Sequence, residues 1–597
     1  MATYTAPLRD IRFVMHELLD SASLSALPGY GHATPELMDA VLEEAAKLSQ
    51  NVLFPLNLSG DAEGCTYENG VVRTPKGFKE AYHQLIEGGW TSLACDPAYG
   101  GQGMPKLVST AFEEMVSSAN LAFGMYPGLS HGAYRALHQH GSDELKDLYL
   151  PKLVEGTWSG TMCLTEPHCG TDLGLIRTKA EPNNDGSYRI SGTKIFISAG
   201  EHDLTENILH LVLAKLPGAP PGTKGISLFL VPKFLPTPEG KVGMRNGLMC
   251  GSIERKMGIK ASATAVMHFD DAQSWLVGQP HSGMKAMFTM MNAARLGVGM
   301  QGLGVAEIAY QSAAAYAKDR RQGKSLNKGE PSREAADPII VHPDVRKMLL
   351  ESRSMVEAGR ALAYWAGLEL DHAEHDPDPA KRQEADDLVA LLTPIIKAAL
   401  TELGSEAANS AVQVLGGHGY VHAWGVEQLV RDARIAQIYE GTNGIQALDL
   451  VGRKLGQDSG RLLRRFFHPV SAFLEGNAEN EALAPFVGPT AKAFARLQQA
   501  TLTVAQRGMA RPEEAAAAAT DYLRLFGLVA MGFMWCRMAQ VAGEKLRAGA
   551  NGEIPFYQAK LDVGAFYMAR ILPRHSVHFQ GVMAGGETLM RMEAAAF

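Results

Sequence analysis

The chain has 597 residues and a formal net charge of -8, which argues against a basic nucleic-acid surface and leaves only short basic runs such as Arg320-Arg321 for a small phosphate. Its length predicts about three or four domains. Six scattered cysteines (Cys65, Cys95, Cys163, Cys169, Cys250 and Cys536) lack the close spacing of a zinc site or a disulfide-stapled module, so a reducing compartment is expected. The start Met1-Ala2-Thr3-Tyr4 is not a basic segment leading into an apolar run, and no stretch offers about 18 uninterrupted apolar residues. The expectation is a cytoplasmic protein without an integral membrane segment, with peripheral contact at the inner membrane left open.

Residues 1–34 read as an N-terminal extension and 35–158 as a helical domain, opened by Thr34-Pro35 and an apolar face of Met38, Val41, Leu42, Ala45 and Leu48. From 159 to 280 the period becomes that of strands, in Tyr188–Ser198, Ile208–Lys215, Gly225–Val231 and Ala263–Phe269. Helical character returns over 281–455, with a loop expected at 327–338. Residues 456–597 read as an appended helical domain, with an alanine run at 515–519 and a helical pattern from Phe526 to Ala548. Its Met531–Met538 stripe reads as packing.

Four stretches carry candidate chemistry. Met162-Cys163-Leu164-Thr165-Glu166-Pro167-His168-Cys169-Gly170-Thr171-Asp172 joins an apolar strand to a donor-rich loop, where backbone amides and Thr165 suit the edge of a planar heterocycle and Gly170 allows close approach. An ordinary strand-turn fits it equally. Phe196 and Ser198, two apart on a strand, offer an aromatic wall and a hydroxyl on one face, with a core phenylalanine as the alternative. Gln413-Val414-Leu415-Gly416-Gly417-His418 ends a helix with glycines that suit phosphate or ribose, while His418 leans toward a structural role. There is no G-x-G-x-x-G fingerprint and no P-loop, so a bound flavin would lie outside a Rossmann domain. Glu440, in Tyr439-Glu440-Gly441-Thr442-Asn443, stands between an amphipathic helix and a glycine-rich turn and is the best candidate for the chemistry. No metal is expected: His131, His138 and His140 lack a carboxylate-rich pattern, and His16-Glu17 runs into Leu18-Leu19-Asp20.

The Met162–Asp172 stretch resembles the flavin-edge signature of the acyl-CoA dehydrogenase family, and Tyr439–Asn443 resembles its base-bearing signature. The resemblance covers about 35–455; the N-terminal stretch and C-terminal region resemble a longer bacterial subfamily that includes 3-methylmercaptopropionyl-CoA dehydrogenases. It implies a mostly α fold with a central β domain, the α/β-barrel/α architecture of the family, plus the appended helical domain. It also implies an FAD enzyme that converts a saturated acyl-CoA to a trans-2,3-enoyl-CoA, with Glu440 taking the α proton and the β carbon delivering hydride to the flavin. The base is expected to be largely desolvated, because burial raises a carboxylate toward neutrality.

By the same resemblance, Met162, Leu164, Thr165, Gly170, Thr171, Phe196 and Ser198 surround the flavin ring. Arg320 reaches the FAD pyrophosphate across a subunit interface, Gln413 and Gly417 touch the neighbouring subunit's cofactor, and Thr442 and Asn443 approach the FAD phosphates. Asn292, Arg295 and Gly441 fall on the substrate side, Arg295 having a buried ion pair as its alternative. Such sharing implies a homodimer, and electron-transferring flavoprotein or another external acceptor is the expected partner. Phe196 stands where many members carry tryptophan, the Arg320 motif lacks the usual phenylalanine before its glycine, and Ala294 occupies the position where some members place their base. An acyl-CoA oxidase and a non-enzymatic FAD-binding assembly protein are the competing readings.

Overall fold

Alternate residues of a strand point to opposite faces, and in the middle of this chain both faces are apolar. The computed structural model describes residues 1–326 and 334–597; the first part of the loop expected at 327–338 lies outside the described residues. The chain divides into two compact units, one comprising 47–104 and 119–297, the other 1–46, 105–118 and 298–597.

The first of these units holds helix α1 (Leu121–His140) and a seven-stranded sheet: β1 (Trp158–Cys163), β2 (Lys179–Pro182), β3 (Tyr188–Ser198), β4 (Asn207–Lys215), β5 (Ile226–Pro232), β6 (Leu248–Ile253) and β7 (Thr264–Val277). Successive pairings β7-β3-β2-β4-β5 return to β7, closing a barrel with β6 beside β7 and β1 parallel to β4. Closure leaves no free edge within that ring, while β6 and β1 each pair with one strand and remain edges. Along β4, Leu209, Leu211 and Leu213 join one apolar cluster with Leu228, Leu230 and Met290, while Val212 and Ala214 join another with Ile197, Phe229 and Met267. A short ribbon, Thr66–Glu68 paired with Val71–Arg73, interrupts the N-terminal segment expected to be helical.

Two histidines are enclosed here. His210 Nδ1 lies 2.9 Å from Thr161 Oγ1 and His202 Nε2 lies 3.0 Å from Ser159 Oγ, and burial, with Lys233 nearby, pulls both imidazoles down to about 3. The folded chain therefore holds them neutral over a range in which the unfolded chain, titrating near 6.5, binds protons. Stability should fall as pH drops below about 6.5 and continue to fall toward pH 3, each histidine contributing about 1.4 kcal/mol per pH unit once well below 6.5. Urea midpoints at neutral and mildly acidic pH check this: the slope should flatten in His202→Gln/His210→Asn, and an unchanged slope would assign the effect elsewhere.

The other unit is helical. It contains residues from Val298 of α2 (Gly283–Asp319) onward, α3 (Pro343–His375), α4 (Pro379–Leu415), α5 (Val426–Arg434), α6 (Asn443–Asp449), α7 (Ala484–Ala510), α8 (Pro512–Arg547) and α9 (Ile554–Phe566). A Cβ on Gly302 would lie 2.2 Å from the Leu400 carbonyl and one on Gly404 2.7 Å from the Gly302 carbonyl, so these glycines let α2 and α4 cross at backbone contact. The alanine run does not stand apart: α8 is one helix from Pro512 to Arg547. Its Met531, Met534, Trp535 and Met538 are buried, and Trp535 Nε1 donates to the Ser354 carbonyl at 3.0 Å. Two segments, Pro379–Tyr420 and Pro512–Arg547, are long and apolar enough to cross a membrane by composition, but 78% and 83% of their most apolar windows are buried in the fold.

The N-terminal residues are tied into this helical unit. Ala2 N donates to the Trp424 carbonyl, Thr5 N to Gln311 Oε1, and Arg9 pairs with Glu17 and Glu553. Deeper, Arg360 meets Glu114, Glu307 and Asp10, while Lys560 meets Asp10 and Glu357.

Candidate active site

In the barrel unit, the Leu164–Gly170 loop leaves the end of β1 and is held beside β3 by Ile195 N, which donates to the Thr165 carbonyl at 2.9 Å. The register of β3 on β7 shifts between Ala265 and Met267, the signature of a bulge near Ile195 and Phe196. Lys194 and Ile197 are consequently both buried, while Phe196 adopts a left-handed φ of 58° and is 58% exposed, with Ser198 half-buried on the same outward side. The exposure removes the core-phenylalanine alternative. An exposed aromatic wall beside Thr165, whose N–H and hydroxyl have no hydrogen-bond partner among the described residues, fits the edge and face of a planar ring. Met162 is buried, Leu164 half-buried, and Gly170 and Thr171 are exposed in the loop.

Arg295 is buried, its Nη1 3.4 Å from Asn292 Oδ1 and its guanidinium 5.9 Å from the Phe288 ring centre, while Asn292 is exposed. Glu166 and Lys194 form a buried pair at 2.9 Å that the sequence reading did not single out, although both lie inside its motifs.

In the helical unit, Glu440 follows α5 and the short helix Ile435–Gln437. It has a left-handed φ of 55° and is succeeded by Gly441 at φ 82°. A non-glycine residue pays strain for that geometry and keeps it only where neighbours enforce it. Here Gln446, buried on α6, donates through Nε2 to the carbonyls of Glu440 at 3.1 Å and Gly441 at 3.2 Å. Lys397, buried on α4, donates to the Gly441 carbonyl and to Asn443 Oδ1, both at 2.9 Å. Asn443 Nδ2 in turn donates to Thr401 Oγ1 at 3.1 Å, and Thr442 Oγ1 caps α6 by accepting from Ile445 N at 3.2 Å. Tyr439 donates its buried hydroxyl to Gln301 Oε1, and burial raises that phenol. The Glu440 side chain itself is half-buried.

These contacts give Thr442 and Asn443 a share in holding the turn that carries Glu440. Lys397 and Gln446 escaped sequence reading because nothing local marks a helix residue as the partner of a distant carbonyl.

Arg320, at the end of α2, is exposed, whereas Arg321 Nη1 is committed to the Ala336 carbonyl at 3.1 Å. Gln413 and Gly417 are exposed at the end of α4, and a Cβ on Gly416 or Gly417 would meet nothing within 4 Å, so the backbone there is open to approach. His418 stacks on Trp424 at 4.4 Å and 13°, with Nδ1 2.9 Å from Tyr316 Oη, one turn before Arg320. The imidazole thus joins the glycine turn to the end of α2, the structural role toward which it leaned.

Comparison with known proteins agrees with this arrangement. Residues 41–157, 161–272 and 281–455 match the N-terminal, middle and C-terminal domains of acyl-CoA dehydrogenase, and 466–593 match an acetyl-CoA dehydrogenase C-terminal-like domain. The chain is 44% identical to 3-methylmercaptopropionyl-CoA dehydrogenase of Ruegeria pomeroyi, over 98% of this chain and 99% of that one. It is 34% identical to a broad-specificity linear acyl-CoA dehydrogenase of Mycobacterium tuberculosis over 100% of both. An acyl-CoA dehydrogenase from Bacillus anthracis, solved in complex with FAD, shares the fold at a TM-score of 0.74 and 19% identity, covering 98% of this chain and 92% of that one. With both signatures held as described and the relatives matched from end to end, the chain belongs to the acyl-CoA dehydrogenase family of FAD-dependent oxidoreductases.

Proposed function

We propose that this enzyme oxidises short-chain saturated acyl-CoA thioesters, the methylthio-substituted 3-methylmercaptopropionyl-CoA among them, with Glu440 as the base. The observation that carries the assignment of the base is the strained Glu440–Gly441 turn, pinned from two helices by Gln446 and Lys397. The α C–H bond breaks as its proton passes to the Glu440 carboxylate, a second C–H bond breaks at the β carbon, and the C=C bond forms between them. Bound FAD supplies the acceptor for the hydride from the β carbon. A fixed backbone matters because proton transfer needs the carboxylate within hydrogen-bond reach of one carbon, and small displacements cost rate steeply.

The substrate reading rests on the 44% identity to the Ruegeria enzyme across nearly the whole chain. Sulfur and methylene are close in size, and one methylene alters discrimination by only about 1 to 3 kcal/mol, so short unbranched acyl groups are expected to compete. Two electrons then leave for an external acceptor, for which electron-transferring flavoprotein is proposed, in a cytoplasmic homodimer. The exposed Arg320, Gln413 and Gly417 support a cofactor site completed by a second subunit, and six free cysteines suit a reducing compartment.

Anaerobic titration of the holoenzyme with butyryl-, octanoyl-, lauroyl-, palmitoyl- and 3-methylmercaptopropionyl-CoA tests the proposal. Flavin bleaching should be fastest, and the matching enoyl-CoA should form, with the methylthio and butyryl substrates. No bleaching and no enoyl product with any of the five would sink it. Oxygen uptake equal to dye reduction would instead identify an oxidase.

A further inference from the structure

The buried pair Lys194–Glu166 lies immediately behind the loop assigned to the flavin edge. Lys194 is 0% exposed on β3, and its Nζ donates to the Leu164 carbonyl and to Glu166 Oε1, each at 2.9 Å. Glu166 also accepts from Thr178 Oγ1 at 2.6 Å, Thr178 N at 3.0 Å and Arg177 N at 2.7 Å. Glu166, His168 and Cys169 bring possible ligand atoms within 4.8 Å of one another; of the four donors to Glu166, Lys194 Nζ, Thr178 Oγ1 and Thr178 N fall on Oε1 and Arg177 N on Oε2, so Oε1 is the oxygen that holds Lys194. Burial works against both charges: it pulls Lys194 below its ordinary value against the opposing pull of Glu166, while the Lys194 charge and the hydrogen bonds outweigh burial at Glu166 and hold that carboxyl below its ordinary range; the 2.9 Å contact is that of an ion pair.

Lys194 therefore does more than fill space. The peptide between Leu164 and Thr165 is trans, so its C=O and N–H point in opposite directions. An ammonium on the carbonyl draws electron density through that peptide and makes the N–H on the far side a stronger donor, the cooperative effect seen along hydrogen-bonded chains. That N–H belongs to Thr165, which has no partner for it among the described residues, and whose own carbonyl is turned back to Ile195 N.

We propose that Lys194 is a positioning residue for the flavin: through the Leu164 carbonyl it aims and strengthens the Thr165 N–H toward the ring edge, stabilising reduced over oxidised FAD. The proposal rests on the placement of the ring at Leu164 and Thr165. Because reduction adds negative charge to the ring, a stronger fixed donor favours the reduced state without adding a formal charge to the pocket surface.

The test uses FAD-loaded Lys194→Gln/Glu166→Gln, which keeps amide donors but removes both charges, and Lys194→Arg, which keeps the charge. Equilibration with a reference dye, without substrate, reads the potential. The neutral pair should bind FAD, change its visible spectrum and shift the equilibrium toward oxidised flavin at least tenfold, about 30 mV for a two-electron couple. Lys194→Arg should stay near the parent. If the neutral pair does not fold, Lys194→Gln alone is read against the same expectation. A parental potential and spectrum in a folded, FAD-loaded neutral variant overturns the proposal, since a merely structural lysine would leave them unmoved. Thr165→Pro, which removes the backbone N–H itself, separates the two ways of failing. If it perturbs the bound-flavin spectrum while the Lys194 variants do not, the polarising role is wrong; if it too is silent, the ring does not lie at this loop.

Discussion

Glu440→Gln should retain FAD and lower kcat by about a thousandfold or more, because the amide keeps the volume and the backbone turn but cannot accept the α proton. The turn is held by the Gln446 and Lys397 contacts to carbonyl oxygens, none of which involves the Glu440 carboxylate. Flavin absorbance, FAD content and melting temperature should accordingly match the parent while acyl-CoA no longer bleaches the flavin. Glu440→Asp should fall between, since it keeps the base but withdraws it by one methylene. Turnover within tenfold of the parent in a folded, FAD-loaded Glu440→Gln would move the base elsewhere, and unchanged cellular function would favour the assembly-protein reading.

Arg360→Met should destabilise the chain by about 3 to 5 kcal/mol, the range found when one partner is removed from a buried ionic group. Arg360 is 1% exposed. Its Nε lies 2.9 Å and 3.1 Å from the two Glu114 oxygens, its Nη2 2.6 Å from Glu307, and its Nη1 meets Asp10. Tyr364 adds a bond to Glu114 at 2.7 Å. Removing the guanidinium strands carboxylates that burial already penalises, and Glu114 is held above the usual carboxylate range by that burial. Arg360→Lys should recover only part of the loss, because a point charge cannot meet three carboxylates in a planar fork. Adding Glu114→Gln to Arg360→Met should restore some stability by removing one unpaired charge. Urea midpoints of the three variants decide it; a loss below 1 kcal/mol for Arg360→Met would show that water or rearranged partners satisfy the cluster.

Much of the site was legible because its signals are short in sequence. The alternation in Tyr188–Ser198 marked β3 with its observed bounds, and the Tyr439–Asn443 stretch pointed to the turn on which Glu440 is strained. The bulge that sends Lys194 inward and Phe196 outward was not legible: a strict period of two puts both on one face, and only the pairing with β7 shows the slip. The alanine run at 515–519 and the apolar stretch after it looked like separate features, yet alanine is the strongest helix former and carries α8 straight through. The Arg360 cluster left no local trace, since Asp10, Glu114, Glu307, Arg360 and Lys560 come from distant parts of the chain. Residues 1–34, read as an extension, supply one of its carboxylates.

That wiring bears on how the polypeptide is made. Lys560 reaches Asp10 across 550 positions of sequence, so at a translation rate of about 5 to 20 residues per second the ion cluster waits roughly 30 to 110 seconds after Asp10 is synthesised before its last cation exists. Arg360 meets Asp10, Glu114 and Glu307 earlier, but until Lys560 is made Asp10 and Glu357 lack their second cation, and a ribosome halted anywhere before α9 releases a chain that cannot complete its own interior.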